Sequence, residues 1–333
     1  MSVLCVASDQ EGVGKTAFCA ALAHILGQQG KTVSVFKPFT DKCGTVESDQ
    51  DREVYDRLAA VVDGEWPVAL GSSGVDRALL DELAGRLVGA SADNDVVIVE
   101  LSSAVARDDT RDVVDALSAH VVVVAGYRRE LRAGDLKPWV DALGERLIGI
   151  VLNSLPRYLA TEAASDLAGP MQSGGIRLLG IVPEDRRLLG ATVSQVSRHL
   201  NGRILDTEGD LDGLVEHFLV GGFSLNPGEL YFEMHEKKAA VIRGDRPDMQ
   251  MAALATPTSC LLLTNGKEPI EYVRYEAEQE QVPIVLVEAN TLATMSALDT
   301  LVDGARFDHP LKMERFVELM QAHVDLDAIL SRL

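Results

Sequence analysis

Apolar positions along this chain alternate between two textures. Continuous runs rich in valine, leucine and isoleucine occupy residues 3–8, 32–38, 95–100, 120–125, 147–153 and 178–183, the pattern of strands buried on both faces of a parallel sheet. Between them, apolar residues recur at three- and four-residue spacing over 14–29, 76–87 and 134–143, which predicts helices, the first closed by Gly27 and Gly30. Strands alternating with helices in this way predict an α/β fold, a doubly wound and mostly parallel sheet with right-handed crossovers. Residues 211–219 again carry a helical spacing, and the Gly- and Pro-containing stretch 221–228 then interrupts the pattern. That interruption sets the expected boundary between a first domain, 1–222, and a smaller α/β domain, 229–333. In the second domain strands are expected at 239–242, 260–264 and 283–287, helices at 248–255, 269–280 and 291–301, and a last helical region at 311–330.

The first strand runs through Asp9-Gln10-Glu11-Gly12-Val13-Gly14-Lys15-Thr16 into the first helix. Backbone N–H groups freed by the glycines, the positive end of the helix dipole and Lys15 converge on one spot, which suits phosphate. Gly12, Val13, Gly14, Lys15, Thr16 and Ala17 are therefore expected to cradle a nucleoside triphosphate, with the Thr16 hydroxyl on Mg2+. The loop is a variant of the phosphate-loop pattern, because Asp9 stands where that pattern has its first glycine.

Ligands of an open parallel sheet gather outside the C-terminal ends of its strands, so polar residues at those ends are the next candidates. Lys37 follows the second run and either faces the same crevice or is a solvated lysine. Glu100 ends the third run and is the expected partner of Thr16 in holding Mg2+. Asp49, Asp51 and Glu53 precede an amphipathic stretch through Tyr55, Leu58 and Val61; they cap a helix start, or Asp51 or Asp49 adds a carboxylate for Mg2+. Ser102 and Ser103 supply hydroxyls to a ligand or turn the chain, and Arg128 and Arg129 bind anions or are surface charge. Asn153 ends the fifth run with the donor and acceptor that base recognition requires. In the second domain, the turns at 244–248 and 264–266 contact a ligand or are tight turns only.

Composition narrows the partners. With 31 Lys and Arg against 51 Asp and Glu the net charge is -20, which disfavours nucleic acid and anionic membrane surfaces. No apolar run reaches the length of a membrane span, and the start lacks the basic flank of a signal sequence, so a cytoplasmic protein is expected. Cys5, Cys19, Cys43 and Cys260 show no metal-type spacing.

Taken together, Gly12 to Thr16, Phe36-Lys37-Pro38, Val99-Glu100, Gly149 to Asn153 and Gly180 to Asp185 resemble the dethiobiotin-synthetase-like P-loop region at the N-terminus of long-form phosphate acetyltransferases. The second half is similar to the DRTGG domain that follows it there, through Gly244-Asp245-Arg246, Asp248, Leu263 to Gly266 and Asn290-Thr291. The resemblance implies phosphate contact and a catalytic role for Lys15 and Lys37, Mg2+ on Thr16, Glu100 and Asp51, and adenine contact near Asn153 and Pro183. It also implies ATP as the nucleotide and a homo-oligomer. Leu101 replaces the glycine after the strand-end glutamate of related synthetases, and Thr264-Asn265-Gly266 differs from the family's Thr-Gly-Gly. No acetyltransferase domain is expected within these residues, so acetyl phosphate formation by them alone is not. The leading expectation is a regulatory ATP·Mg2+-binding protein with a small ligand at its second domain. The alternatives are an ATP-dependent ligase acting on a small carboxylate or carbamate, and a scaffold for a partner enzyme.

Overall fold

A computed structural model describes residues 2–40, 54–55, 60–61, 68–69, 75–90, 94–205, 209–222 and 228–333. The chain forms two compact units, Met1–Glu184 together with Phe307–Leu333, and Asp185–Arg306.

In the first unit, β1 (Ser2–Ser8) lies at the centre of a parallel sheet. Its neighbours are β3 (Val96–Glu100) and β4 (His120–Gly126); β2 (Val33–Phe36) and the short strand Ala60–Val61 extend one side, β5 (Leu147–Leu155) and β6 (Leu178–Pro183) the other. All these pairings are parallel. Each of the six expected strands is present. The strand order reverses direction at β1, and the crevice outside the C-terminal ends of β1, β3 and β4 is where open sheets of this kind bind ligands. Helices α1 (Lys15–Gln28), α2 (Arg77–Ala90) and α4 (Ala133–Leu143) follow the spacing that predicts them, and α3 (Arg107–Ala116) is a further helix outside the expected ones.

In the second unit, the short strand Arg203–Ile204 and β7 (His217–Gly221) flank β8 (Lys238–Arg243), β9 (Thr258–Thr264) and β10 (Ile284–Leu286). The edge pair Arg203–Ile204 is antiparallel to β10 and the other neighbours are parallel. Helices α5 (Gly228–Phe232), α6 (Pro247–Leu254), α7 (Glu271–Gln279) and α8 (Thr291–Asp303) complete it. Its core is in two parts: Phe232, Ala240, Leu261 and Val273 belong to one, Val241, Leu262, Val285 and Leu298 to the other.

Two expectations are corrected. Residues 211–219 are not a helix: Leu214–Val215 is a short strand and β7 begins at His217. Leu219 packs into one part of the core while Phe218 and Val220 pack into the other, the two-residue alternation of a strand. The last helices, α9 (Pro310–His323) and α10 (Leu326–Leu330), are present but belong to the first unit, where α9 packs on α1 and on β6. The compact units therefore divide at Glu184/Asp185 and again at Arg306/Phe307, whereas the linear pattern placed one division near 222. This return explains why α1 is apolar almost all round, with Ala17 to Ala23, Ile25 and Leu26 all buried.

Cys5, Cys19 and Cys260 are buried and none of them is in a disulfide; burial pushes the Cys5 and Cys260 thiols up to about 12. Lys238 is fully buried in β8, its ammonium donating to the Pro257 carbonyl, and burial lowers its pKa to about 8. Among the described residues no helix is long and apolar enough to cross a membrane.

Candidate functional site

The chain leaves β1 at Ser8 and starts α1 at Lys15, a reversal that requires left-handed backbone at Gly12 (φ 73°) and Gly14 (φ 88°). At Gly14 there is a second constraint, because a Cβ there would lie 2.5 Å from Asn153 Nδ2. Asn153 stands near the end of β5, and its Nδ2 donates to the Val13 carbonyl at 2.9 Å. On the other side, a Cβ on Gly126 would come within 2.7 Å of Val13 Cγ1. The loop thus rests against the ends of β4 and β5.

Asp9 takes part in this support. Its Oδ1 accepts from the Gly126 N–H at 3.3 Å, and its Oδ2 pairs with Arg128 at 2.5 Å. The residue that departs from the common loop pattern is therefore a strut between β1 and β4, and Arg128 is its counterion.

Lys15 is 8% exposed and its Nζ donates to Ser8 Oγ at 2.7 Å, while Ser8 Oγ donates to the Gln10 carbonyl at 2.7 Å. The start of α1 has neither a side-chain cap nor an acidic residue in its first turn. A fourteen-residue helix thus presents the positive end of its dipole beside a buried lysine, an arrangement that favours an anion. Thr16 and Ala17 lie in that first turn.

Glu100 is buried at the end of β3, directly beside Val6 of β1 in the parallel register. Thr16 Oγ1 donates to its Oε1 at 2.9 Å, and the buried Tyr55 hydroxyl donates to its Oε2. A hydroxyl and a carboxylate form the hard oxygen set that suits Mg2+. Tyr55 was absent from the sequence reading as a site residue, because an aromatic in an amphipathic stretch reads as core.

Lys37 follows Phe36, whose register partner is Val99, so it stands level with Glu100 at the strand ends and is half-buried. Pro183 ends the edge strand β6 opposite Leu155, three strands from β1. Ser102 Oγ accepts from the Ala104 N–H at 3.1 Å and so turns the chain. Asp49 and Asp51 lie outside the described residues. The structure accordingly gathers Gly12 to Ala17, Glu100 and Asn153 at one place, with Lys37 at the adjoining strand end.

In the second unit, Asn265 (φ 67°) and Gly266 (φ 61°) make a tight turn, and a Cβ on Gly266 would meet Glu288 Oε2 at 2.3 Å. Asp245 pairs with Arg243 at 2.6 Å and Asp248 with Arg246 at 2.7 Å, and these arginines hold both carboxyls below the usual range.

The model of a family described as "AAA domain" matches residues 2–192, more than half of the chain, and the DRTGG domain matches residues 195–301. A phosphate acetyltransferase of Nitratidesulfovibrio vulgaris is 23% identical over 99% of this chain and 51% of its own length. An ATP-binding protein of Methanocaldococcus jannaschii is 25% identical over 59% of this chain and 79% of its own. Among solved structures, the MinC:MinD cell division complex of Aquifex aeolicus is similar with a TM-score of 0.40 and 15% identity, covering 57% of this chain and 84% of that one. The chain spans about half the length of the phosphate acetyltransferases it matches, in the manner of their N-terminal region. On its fold, its loop and the extent of the matched model, the chain belongs to the AAA domain family, as a P-loop domain followed by a DRTGG domain.

Proposed function

We propose that this protein binds ATP with Mg2+ at the end of β1 and that its DRTGG domain has a regulatory role, coupling a second ligand to nucleotide occupancy. The observation that carries the reading is the 2.9 Å hydrogen bond between Thr16 and the buried Glu100, which sets a hydroxyl and a carboxylate side by side at the head of an uncapped helix. Lys15 and the N–H groups from Gly14 to Ala17 would hold the phosphates, and Thr16 and Glu100 the metal. Bound Mg2+ would neutralise phosphate charge. Asn153 serves this site chiefly by fixing Val13. The similarity to the Methanocaldococcus jannaschii ATP-binding protein supports ATP as the nucleotide.

Isothermal calorimetry with Mg·ATP tests this reading. Wild type is expected to bind and to gain thermal stability on saturation, while Lys15→Ala loses affinity by about a hundredfold and gains none. Absence of both heat and thermal shift in the wild type would overturn it.

The position of Lys37 favours one second reading, an ATP-dependent ligase acting on a small carboxylate or carbamate. A lysine level with Glu100 can stabilise charge on a phosphoryl group in transfer. Release of ADP that requires an added carboxylate, and that Lys37→Ala abolishes, would select this reading over a regulatory one.

A further inference from the structure

One side of the second sheet is covered by three neighbouring helices, α5, α6 and α7, with α6 packed against both of the others. The inward residues of this layer, Phe232, Met249 and Val273, are buried in the core. Its outward side is unusual for an acidic chain. Leu230 (61% exposed), Tyr231 (39%) and Met234 (65%) stand on α5 and the turn after it; Ile270 (54%), Tyr272 (61%) and Tyr275 (58%) stand on and just before α7. Scattered single apolar residues on a surface need no account, but six large ones carried on or beside α5 and α7, the two helices that flank α6, are the kind of exposure that marks an interface. Tyrosine and methionine are also the residue types enriched in protein interfaces, where a ring contributes contact area at little entropic cost.

The charges around these residues point to the occupant. Glu229 and Glu233 are exposed on and beside α5, and Glu271 and Glu278 are exposed on α7. The basic groups of these elements are already engaged, since Arg274 pairs with Glu268 at 2.9 Å and Arg246 with Asp248 at 2.7 Å. A second copy of this chain would set one acidic rim against another, in a protein whose net charge is -20. A partner with an apolar stripe flanked by arginine or lysine would fill the patch and neutralise its rim, with guanidinium groups also able to lie over the tyrosine rings.

We infer that the outward side of α5, α6 and α7 is a docking surface for a basic amphipathic helix of a partner protein. The inference is independent of nucleotide binding.

The full chain can be tested with two fluorescent synthetic peptides of identical composition. In one, leucine and arginine are placed so that a helix is amphipathic; in the other, the same residues are scrambled. At near-physiological salt the amphipathic peptide is expected to bind about tenfold more tightly than the scrambled one. The double variant Tyr272→Ser/Tyr275→Ser should lose that preference while keeping the wild-type circular dichroism spectrum and melting temperature. Equal binding of the two peptides, or a preference undiminished in the variant, would overturn the inference. So would a concentration-dependent dimer in sedimentation that the double variant dissolves, because the occupant would then be a second copy.

Discussion

At the residue scale the loop between β1 and α1 is held by contacts that leave little freedom at Gly14. Gly12 and Gly14 both have left-handed backbone, yet only Gly14 faces a neighbour that an added Cβ would strike. Gly14→Ala is therefore expected to cost about 1–2 kcal/mol for the backbone conformation, plus the displacement of Asn153. Gly12→Ala should cost only the first part. Urea denaturation of the two variants measures the difference, and Gly14→Ala/Asn153→Ala should recover some of it. Tyr55 gives a second prediction. Its hydroxyl helps to fix Glu100, so Tyr55→Phe should raise the Mg2+ requirement for ATP binding by about tenfold with little change in fold. Calorimetric titrations of ATP at several Mg2+ concentrations would show it. The glycines, Lys15 and Thr16 were legible as a phosphate-loop pattern because that pattern dictates residue types at fixed spacing, and Glu100 as the acid that ends an apolar strand; the structure brings Glu100 to Thr16. Tyr55 was not legible, and Arg128 was read as anion binder or surface charge when it is the counterion of Asp9. Both depend on which distant element lies next to them, and spacing along the chain carries no such information.

At the element scale the strands were legible wherever both faces are buried, because β-branched runs have few other uses. Failure came at 211–219, where Leu211, Leu214, Val215, Phe218 and Leu219 recur at three- and four-residue steps. Leu214 and Val215 serve one short strand and Phe218 and Leu219 an edge strand whose two sides enter different parts of the core, and short apolar segments leave helix and strand ambiguous by periodicity alone. The central strand β8 gives a pH prediction. With its folded pKa lowered to about 8, Lys238 binds its proton less readily in the folded chain than in the unfolded one. The burial penalty is complete below about pH 8 and disappears as pH rises toward the free-lysine value near about 10.4, so this residue's contribution to stability improves with pH across that window. The stability difference between wild type and Lys238→Met should accordingly shift in favour of wild type between those values. Denaturant melts of both proteins at several pH values would show a flat difference if the Lys238 ammonium had the same pKa in the folded and unfolded chains.

On the scale of the whole molecule, the second unit is an insertion in the first, whose chain resumes at Phe307. The linear pattern could not reveal this, since a helix at the end of a chain carries no mark of the sheet it will join. One sign was nonetheless present in the apolar residues around all of α1, more than a helix covered on one side requires. Phe316, which is buried in α9, offers a test: Phe316→Ala should cost about 3–5 kcal/mol. Hydrogen exchange in that variant should speed up in α1 and β6, the elements on which α9 packs, while β8 and β9 keep their protection. Loss of protection spread evenly over both units would contradict the division.

The packing of α9 on α1 also bears on synthesis. Lys15 and Thr16 are translated before residues 310–323, and the helix they begin lacks one of its covering surfaces until those residues have been made. The loop is thus translated well before it gains its full support. A nascent chain arrested within the second unit would carry every residue of the loop from Asp9 to Thr16 and still hold α1 less firmly than a chain in which α9 has been made.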